Sequence, residues 1–547
     1  MGNGKPTLMM IGLDGATFEV IRPLVEMGKL PNLGRIMAEG ASGVLESIVP
    51  PITGPAWSVL ATGQNPGKLG TFDFINRRKQ DDFRLYPIRS NDLAGHTFWD
   101  MLDAAGYRVG VLNYPMMIPA YPVDGWMVAG LGASRLHQYA YPESLKATLD
   151  EITGKYEINI SFGLPKYKNN LPLLIEDMRK MLRDRLAVLD HLLTTDPVDA
   201  LIVVFGVPDV AQHTFWKFWD ENWHEGKIDP KHDEMREAFI SLWEEIDSAT
   251  GKVLEYLAPE GNALIISDHG FGPNYGIFHI NEWLQQEKYL VRNVTAATRI
   301  NALKEWFVKL TTPVLRPVYQ RLVGSKAQQL LRASILRELD LESSKAFALE
   351  NSDGYGAIYI NRQYARSHGL DVDQFVEETA RNLKLELLQW GVENGLEMQV
   401  FMSKDLYIGE KAELAPEVLL LIEAGRCSVS YHMDQPIFED RPHHPMKSGS
   451  HRMEGILMAT GARIANAQVK GASLLDIAPS LLALADQPIP ALMDGRVLTE
   501  MLAPEFRPDP DAQRESAPTA PVIEVGDYED EDESMMLQRL VDLGYLD

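Results

Sequence analysis

Three acidic residues, Asp14, Asp209 and Asp268, each follow an apolar run typical of a buried strand. Ligands of parallel sheets bind beyond the carboxyl ends of the strands, so carboxylates placed there could hold a metal ion. A neighbouring glycine, such as Gly15 after Asp14, leaves room for the ion to approach. An Asp-Gly pair is also the ordinary composition of a turn, and this alternative stays open for Asp14 taken alone.

Histidines accompany the second and third of these carboxylates. His213 follows Asp209 at a spacing of four residues, which places both side chains on one face of a helical turn and is a common way to hold zinc. His269 directly follows Asp268, so this pair offers two metal ligands in a compact loop. His451 precedes a further predicted strand, where a single histidine is more often a surface residue.

Thr53 precedes a Gly-Pro pair at the start of a predicted helix. Proline suits the first turn of a helix, and free backbone N–H groups gather at that end. Thr53 is therefore either a capping residue or a nucleophile whose alkoxide is stabilised by a metal ion, with a phosphate resting on the helix N-terminus. Together, the three aspartates, three histidines and this threonine fit two metal sites that keep positions open for a phosphate.

The order Asp-Gly, Thr-x-Pro, Asp-x-x-x-His, Asp-His-Gly and a late Gly-x-His resembles the alkaline phosphatase superfamily. Within it, the sequence is similar to the type I phosphodiesterase/nucleotide pyrophosphatase branch, which includes predicted bacterial phosphohydrolases and phosphomutases. The resemblance runs from about residue 7 to about residue 500. It implies a hydrolase of phosphoric esters that acts through a phosphothreonyl intermediate.

The resemblance also implies two divalent metal ions. Their ligands combine oxygen and nitrogen without sulfur, so zinc fits, with manganese as the alternative. One ion would be held by Asp209, His213 and His451, and the other by Asp14, Asp268 and His269, with Thr53 bridging towards it as the nucleophile.

The substrate is expected to be a small-molecule phosphoester. Asn113, at the end of a predicted strand, and Asn76 are candidate substrate contacts. No arginine follows Thr53 until Arg77, and without an arginine to hold two oxygens of a dianion a diester monoanion is the easier substrate. This favours a phosphodiesterase or nucleotide pyrophosphatase. A phosphotransferase or phosphomutase with the same site, and a metal-bound scaffold without catalysis, remain as alternatives.

The elements that must position these residues alternate between apolar strands and helical patterns such as Leu171–Leu193 and Met235–Leu257. This alternation predicts an α/β fold, a three-layer α/β/α sandwich with a mostly parallel central sheet and a helical insertion. The predicted strands are Leu8–Leu13, Arg108–Asn113, Ala200–Phe205, Ala263–Ser267, Val418–Ile422 and Ile456–Thr460.

Composition changes divide the chain into two parts. Residues 1–503 are predicted to form the catalytic domain, with a basic helical insert over about 290–341. Residues 504–547 are predicted to form an acidic, proline-rich linker and a short C-terminal helix. That helix is expected to dock on the body or on a second subunit, so the tail could support a homo-oligomer.

The overall composition restricts partners and location. Lys and Arg total 52 against 77 Asp and Glu, a net charge of −25, which argues against general nucleic-acid binding. The single cysteine, Cys427, excludes an internal disulfide framework. No apolar run approaches the roughly 20 residues of a transmembrane segment, and the N-terminus carries no signal-peptide pattern. A cytoplasmic protein is the expectation.

Overall fold

The chain of 547 residues is described by a computed structural model. The predicted insert over 290–341 lies largely outside the described residues, and so does most of the predicted acidic linker. The described residues are 4–221, 223, 231–293, 338–349, 351–352, 354–440, 447–507, 523, 525 and 530–545.

A nine-stranded sheet forms the centre of the molecule, and helices flank it. Two strands, Glu454–Gly461 and Ala140–Tyr141, run antiparallel to their neighbours, and the other seven share one direction. The predicted α/β fold with a mostly parallel central sheet is confirmed. In spatial order the strands are Ala467–Ser473, Ala41–Glu46, Glu454–Gly461, Asn262–Ile266, Leu8–Leu13, Ala200–Phe205, Val109–Tyr114, Gly125–Ala129 and Ala140–Tyr141.

The strands in the middle of this sheet are continuous apolar runs because they are buried on both faces. Leu8–Leu13 is buried along its whole length between the parallel strands Ala200–Phe205 and Asn262–Ile266. Parallel strands covered on both faces have no polar side to alternate with. The register pairs the last residue of the first strand with Phe205, so the three carboxyl ends lie side by side. The residues that follow these strands are therefore gathered at one edge.

One predicted strand lies elsewhere. Val418–Ile422 belongs to a second, mixed sheet with its own apolar cluster, not to the central sheet. Its apolar composition suits either sheet because it is fully buried in both settings. The other strands of this sheet are Gly276–His279, Ala346–Ala348, Gly356–Ile360, Met398–Met402, Cys427–Ser430 and Phe438–Asp440. Two-stranded ribbons pair Ile75–Lys79 with Asp82–Pro87, and Gly270–Pro273 with Gly449–Arg452.

The two long predicted helices are present as Leu171–Thr195 and His232–Leu254. Within the described ranges, no helix is long and apolar enough to cross a membrane. The other α-helices among the described residues are Phe18–Glu26, Pro31–Glu39, Thr53–Thr62, Pro66–Leu69, Phe98–Ala104, Leu145–Thr153, Pro165–Lys168, Val207–Trp219, Ile280–Gln286, Arg362–Ser367, Val372–Asn394, Ser403–Leu406, Ile477–Leu484 and Asp530–Leu543.

The C-terminal helix, Asp530–Leu543, packs against the body of the same chain. Its apolar side chains Met536, Leu540 and Leu543 are buried within the apolar core that surrounds the central sheet. The apolar face that could have met a second subunit is thus covered within the chain itself.

Candidate active site

The three predicted carboxylates lie at the edge where the central strands end. Asp14 and Asp268 follow neighbouring strands, and the backbone N–H of Gly15 donates to Oδ1 of Asp268 at 3.1 Å. Asp209 lies in the first turn of the helix that follows Ala200–Phe205, and His213 lies one turn further on. The Nε2 atom of His213 is 3.4 Å from Oδ1 of Asp209, so the expected i, i+4 pair is formed.

An antiparallel ribbon brings the last histidine to this edge. The ribbon pairs Phe271 with His451, and His269 directly precedes its first strand. The rings of His269 and His451 stack with centroids 3.7 Å apart. Nε2 of His451 is also 3.2 Å from Nε2 of His213, so the three imidazoles form one group.

The three imidazoles present the same ring nitrogen to the site. In each of them Nδ1 faces a backbone carbonyl oxygen, at 3.2 Å for His213, 3.0 Å for His269 and 2.9 Å for His451. A carbonyl oxygen can only accept a hydrogen bond, so Nδ1 carries the proton. Nε2 then keeps its lone pair, which is the arrangement of a metal-binding histidine.

Thr53 is the first residue of its helix and is completely buried. Ile52 occupies the capping position, and the Thr53 hydroxyl makes no capping hydrogen bond. Its oxygen lies instead 3.1 Å from Nε2 of His269. The capping alternative therefore does not describe this side chain, and its hydroxyl faces the histidine and carboxylate group.

Burial controls the protonation of this group except at Asp209, where the neighbouring histidines lower the pKa against the effect of burial. Burial, together with the charges of Asp268 and Asp209, raises the pKa of Asp14 well above its ordinary value, and burial also raises the pKa of Asp268. Burial lowers the pKa of His269 to about 4 and lowers the pKa values of the other two histidines. The imidazoles are therefore neutral at neutral pH, and the carboxylates repel one another without a cation.

A divalent metal ion fits this donor set. Oδ1 of Asp14, Oδ1 of Asp209 and Oδ2 of Asp268 are buried and have no hydrogen-bond partner among the described residues. The ligand atoms form two sets, within each of which all atoms lie within 4.8 Å of one another, and His269 belongs to both sets. Neutral imidazoles with carboxylates are typical ligands of zinc. The first set is Asp14, Asp268 and His269, and the second is Asp209, His269 and His451, with His213 adjoining it.

The two predicted substrate contacts are placed differently. Asn113 lines a cavity of about 40 Å³ beside Asp14, and its backbone has a φ of 62°, in the left-handed region. Its Nδ2 is buried and has no partner among the described residues. Asn76 lies outside this group, because its amide bonds the backbone of its own turn at Phe72 and Asp73.

Sequence reasoning missed Arg185, which lines the same cavity. Its guanidinium stacks on the ring of Tyr156 at 4.3 Å, and the hydroxyl of Tyr156 donates to Oδ1 of Asn113 at 2.8 Å. Nη2 of Arg185 is held by two backbone carbonyls, while Nη1 is buried without a partner among the described residues. The sequence does carry a sign of this role, since Arg185 occupies an apolar-face position between Leu182 and Val188.

Arg77, the first arginine after Thr53, does not serve the site. Its buried guanidinium donates to the carbonyl oxygens of Leu414 and Ala415 and pairs with Glu417. A second group that sequence reasoning missed is the hydroxyl of Tyr545, which reaches Asp209 from the C-terminal helix.

Comparisons with known proteins agree with the sequence motifs. The family model described as type I phosphodiesterase / nucleotide pyrophosphatase matches residues 8–407. No curated protein sequence matches the chain. Among similar solved structures is the phosphonoacetate hydrolase of Sinorhizobium meliloti in complex with phosphonoformate, with 12% identity and a TM-score of 0.48 over 88% of this chain and 95% of that one.

A second similar structure is an inactive form of murine ectonucleotide pyrophosphatase/phosphodiesterase 5 in complex with AMP. It has 12% identity and a TM-score of 0.48 over 91% of this chain and 100% of that one. The family match covers well over half of the chain and confirms the resemblance that the motifs indicated. The chain belongs to the type I phosphodiesterase/nucleotide pyrophosphatase family.

Proposed function

We propose that this protein is a two-metal-dependent hydrolase of phosphoric esters, a phosphodiesterase or nucleotide pyrophosphatase with Thr53 as its nucleophile. The observation that carries the proposal is the position of the Thr53 hydroxyl, 3.1 Å from Nε2 of His269 at the start of a helix. Membership of the family supports the reaction class.

We assign the candidate metal ligands to two ions as the family resemblance implies. Asp209, His213 and His451 would hold one ion, and Asp14, Asp268 and His269 the other, next to Thr53. In the structure His269 belongs to both groups of neighbouring ligand atoms, and His213 adjoins Asp209. When bound, the ions supply Lewis-acid stabilisation of the attacking and leaving oxygens. Zinc suits the mixed oxygen and nitrogen donors, and manganese is the alternative.

Thr53 performs the bond-making step in this proposal. Its Oγ1 releases its proton to water and forms a new bond to phosphorus while the bond from phosphorus to the leaving oxygen breaks. The leaving oxygen takes up a proton from water, and a phosphothreonyl ester remains. With a diester substrate this intermediate retains one organic group. Water then cleaves the bond between Thr53 and phosphorus, which restores the hydroxyl and releases the phosphate product.

Two buried donors would hold the substrate's anionic oxygens. Nδ2 of Asn113 and Nη1 of Arg185 both belong to the wall of the cavity beside Asp14, and neither has a partner among the described residues. The free N–H groups at the start of the Thr53–Thr62 helix add a partial positive charge on the same side of the substrate. In this proposal Asn113 and Arg185 bind the anionic oxygens of the substrate beside Asp14.

The proposal also includes the location of the protein in the cell and the roles of the two parts of the chain. We place the protein in the cytoplasm, as the single cysteine of the sequence led us to expect. Residues 1–503 act as the catalytic domain and residues 504–547 as an appended segment.

Trapping the intermediate tests this proposal. Protein mixed with zinc and a diester is quenched in acid, and the peptide that contains Thr53 is examined by mass spectrometry. A phosphoryl adduct on Thr53 supports the mechanism. An adduct on another residue, or turnover without any adduct under conditions that trap the intermediate of a related enzyme, contradicts the assignment of Thr53.

A further inference from the structure

The described part of the C-terminal segment, residues 530–545, brings Tyr545 into the candidate active site. The helix Asp530–Leu543 is held by the buried side chains Met536 and Leu540, and Gly544 follows with a φ of 94°. Both Gly544 and Tyr545 donate their backbone N–H to the carbonyl of Leu540, at 3.2 Å and 3.0 Å. This left-handed turn, which favours glycine, ends the helix and directs Tyr545 into the protein.

Tyr545 is enclosed by aromatic rings at the metal-ligand group. Its ring lies 5.3 Å from that of Phe74 and 6.1 Å, edge to face, from that of Phe162. Phe162 in turn stacks on His213 at 5.5 Å, and Tyr545 meets His213 edge to face at 6.2 Å. The position of the tyrosine is thus fixed by packing against a candidate metal ligand.

The hydroxyl of Tyr545 donates to Oδ2 of Asp209 at 2.5 Å. The other oxygen of this carboxylate, Oδ1, is buried without a hydrogen bond and lies 3.4 Å from Nε2 of both His213 and His451. The tyrosine therefore occupies one oxygen of the carboxylate and leaves the second one aimed at the two imidazoles.

Hydrogen bonds from Arg539 hold the same segment against residues beside the site. Arg539 donates from Nη1 to the hydroxyl of Ser161 at 2.7 Å and from Nη2 to the carbonyl of Asn159 at 3.0 Å. Asn159 lines the cavity beside Asp14, and so do Leu543 and Tyr545. Docking of the helix and the shape of the cavity beside Asp14 therefore depend on each other.

We propose that the C-terminal segment completes the metal site of the catalytic domain, with Tyr545 as a positioning residue. The Tyr545 hydroxyl holds Oδ2 of Asp209 and so directs Oδ1 towards the ion that Asp209, His213 and His451 bind. Hydrogen-bond partners of metal ligands commonly contribute about 10–100-fold to metal affinity. The inference rests on the proposed metal site and adds a residue from the other end of the chain to it.

The test compares zinc affinities of full-length, chelator-stripped proteins by competition with a chromogenic chelator. We expect wild type to bind two equivalents and Tyr545→Phe to bind one of them about 10–100-fold more weakly. Tyr121→Phe is the matched control, because its buried hydroxyl also donates to an aspartate, Asp100, at 3.0 Å. This control should lose stability but keep both affinities.

A second measurement does not depend on affinity or turnover. Binding couplings are reciprocal, so zinc should protect the amide hydrogens of residues 530–545 from exchange in wild type, and much less in Tyr545→Phe. If Tyr545→Phe binds zinc at both sites with wild-type affinity, the inference is wrong and the proposed function still stands. The same holds if Tyr545→Phe binds zinc more tightly, because the tyrosine would then compete with the metal. A wild type that binds no zinc or manganese contradicts the proposed function itself and the inference with it.

Discussion

The hydroxyl oxygen of Thr53 lies 3.1 Å from Nε2 of His269, although 216 positions separate the two residues in the sequence. The helix that begins at Thr53 delivers the hydroxyl, and the end of the neighbouring strand Asn262–Ile266 delivers the histidine. His269 keeps its proton on Nδ1, so its lone pair faces the hydroxyl. A buried hydroxyl, neutral imidazoles and unpaired carboxylate oxygens together favour metal-assisted nucleophilic chemistry over a purely structural role.

Removing the Thr53 hydroxyl should abolish turnover without emptying the metal sites. We expect Thr53→Ala to lower kcat by about three orders of magnitude or more, while zinc content stays at the wild-type level. Thr62→Ala is the matched control, since Thr62 is buried in the same helix and its hydroxyl donates to the carbonyl of Ser58 and accepts from the N–H of Gln64. Turnover retained by Thr53→Ala would exclude Thr53 as the nucleophile.

Removing a metal ligand should lower both metal content and thermal stability. Asp209→Asn and His213→Ala should each bind about one equivalent of metal less than wild type. Zinc should also raise their melting temperatures less than it raises that of wild type, because the ion binds only the folded state. Asp247→Asn is the control, since this buried carboxylate accepts backbone N–H groups of Asn32 and Leu33 away from the site. Full metal content in both ligand variants would contradict the assignment of Asp209 and His213.

Arg185 should act on substrate binding through its free Nη1. Loss of a hydrogen bond to a charged group costs about 1.5–3 kcal/mol, so Arg185→Met should raise KM by about 10–100-fold. Arg185→Lys keeps the charge but loses the planar fork, and should recover part of the loss. Steady-state kinetics with a diester substrate measure this effect. An unchanged KM in Arg185→Met, with the protein folded, would show that the guanidinium only supports the carbonyls of Glu157 and Ile158.

Asp100 gives a pH dependence that is independent of the active site. Burial raises its pKa from 3.8 to about 6, although Gly95, Thr97 and Tyr121 donate hydrogen bonds to it. A raised folded-state pKa favours the folded protein below the unfolded pKa, and that advantage is lost as the pH rises through 6.

The measurement for Asp100 compares the melting temperature of wild type with that of Asp100→Asn, which does not titrate. As the pH falls from about 7 to about 4, we expect the free energy of unfolding of wild type to rise by up to about 3 kcal/mol relative to that of the variant, and its melting temperature to rise accordingly. Parallel pH profiles of the two proteins would show that Asp100 titrates at its ordinary pKa.

The central sheet and the position of Asp14, Asp209 and Asp268 at one edge of it follow from the sequence for one physical reason. Continuous apolar runs mark parallel strands, and carboxylates or histidines directly after them must lie at one edge. The same reasoning placed Val418–Ile422 in the wrong sheet, because a fully buried strand has the same composition in either one. Its partner strands are set by long-range pairing that no local pattern records.

Side chains that reach the site from distant elements were not predictable in the same way. Arg185 comes from the middle of a long helix, and Tyr545 comes from a segment joined to the body through residues outside the described ranges. Only the apolar spacing of the C-terminal helix indicated docking, and it did not specify where. Asn76 was selected by position alone, and local hydrogen bonds to its own turn occupy its amide.

The most direct test is hydrolysis of bis-p-nitrophenyl phosphate and p-nitrophenyl phosphate by chelator-stripped wild type, with and without added Zn²⁺ or Mn²⁺. We predict turnover of the diester that requires the metal, exceeds turnover of the monoester and disappears in Thr53→Ala. The proposed function is contradicted if both esters are turned over equally well after chelation. It is also contradicted if protein that has bound two metal ions turns over neither ester.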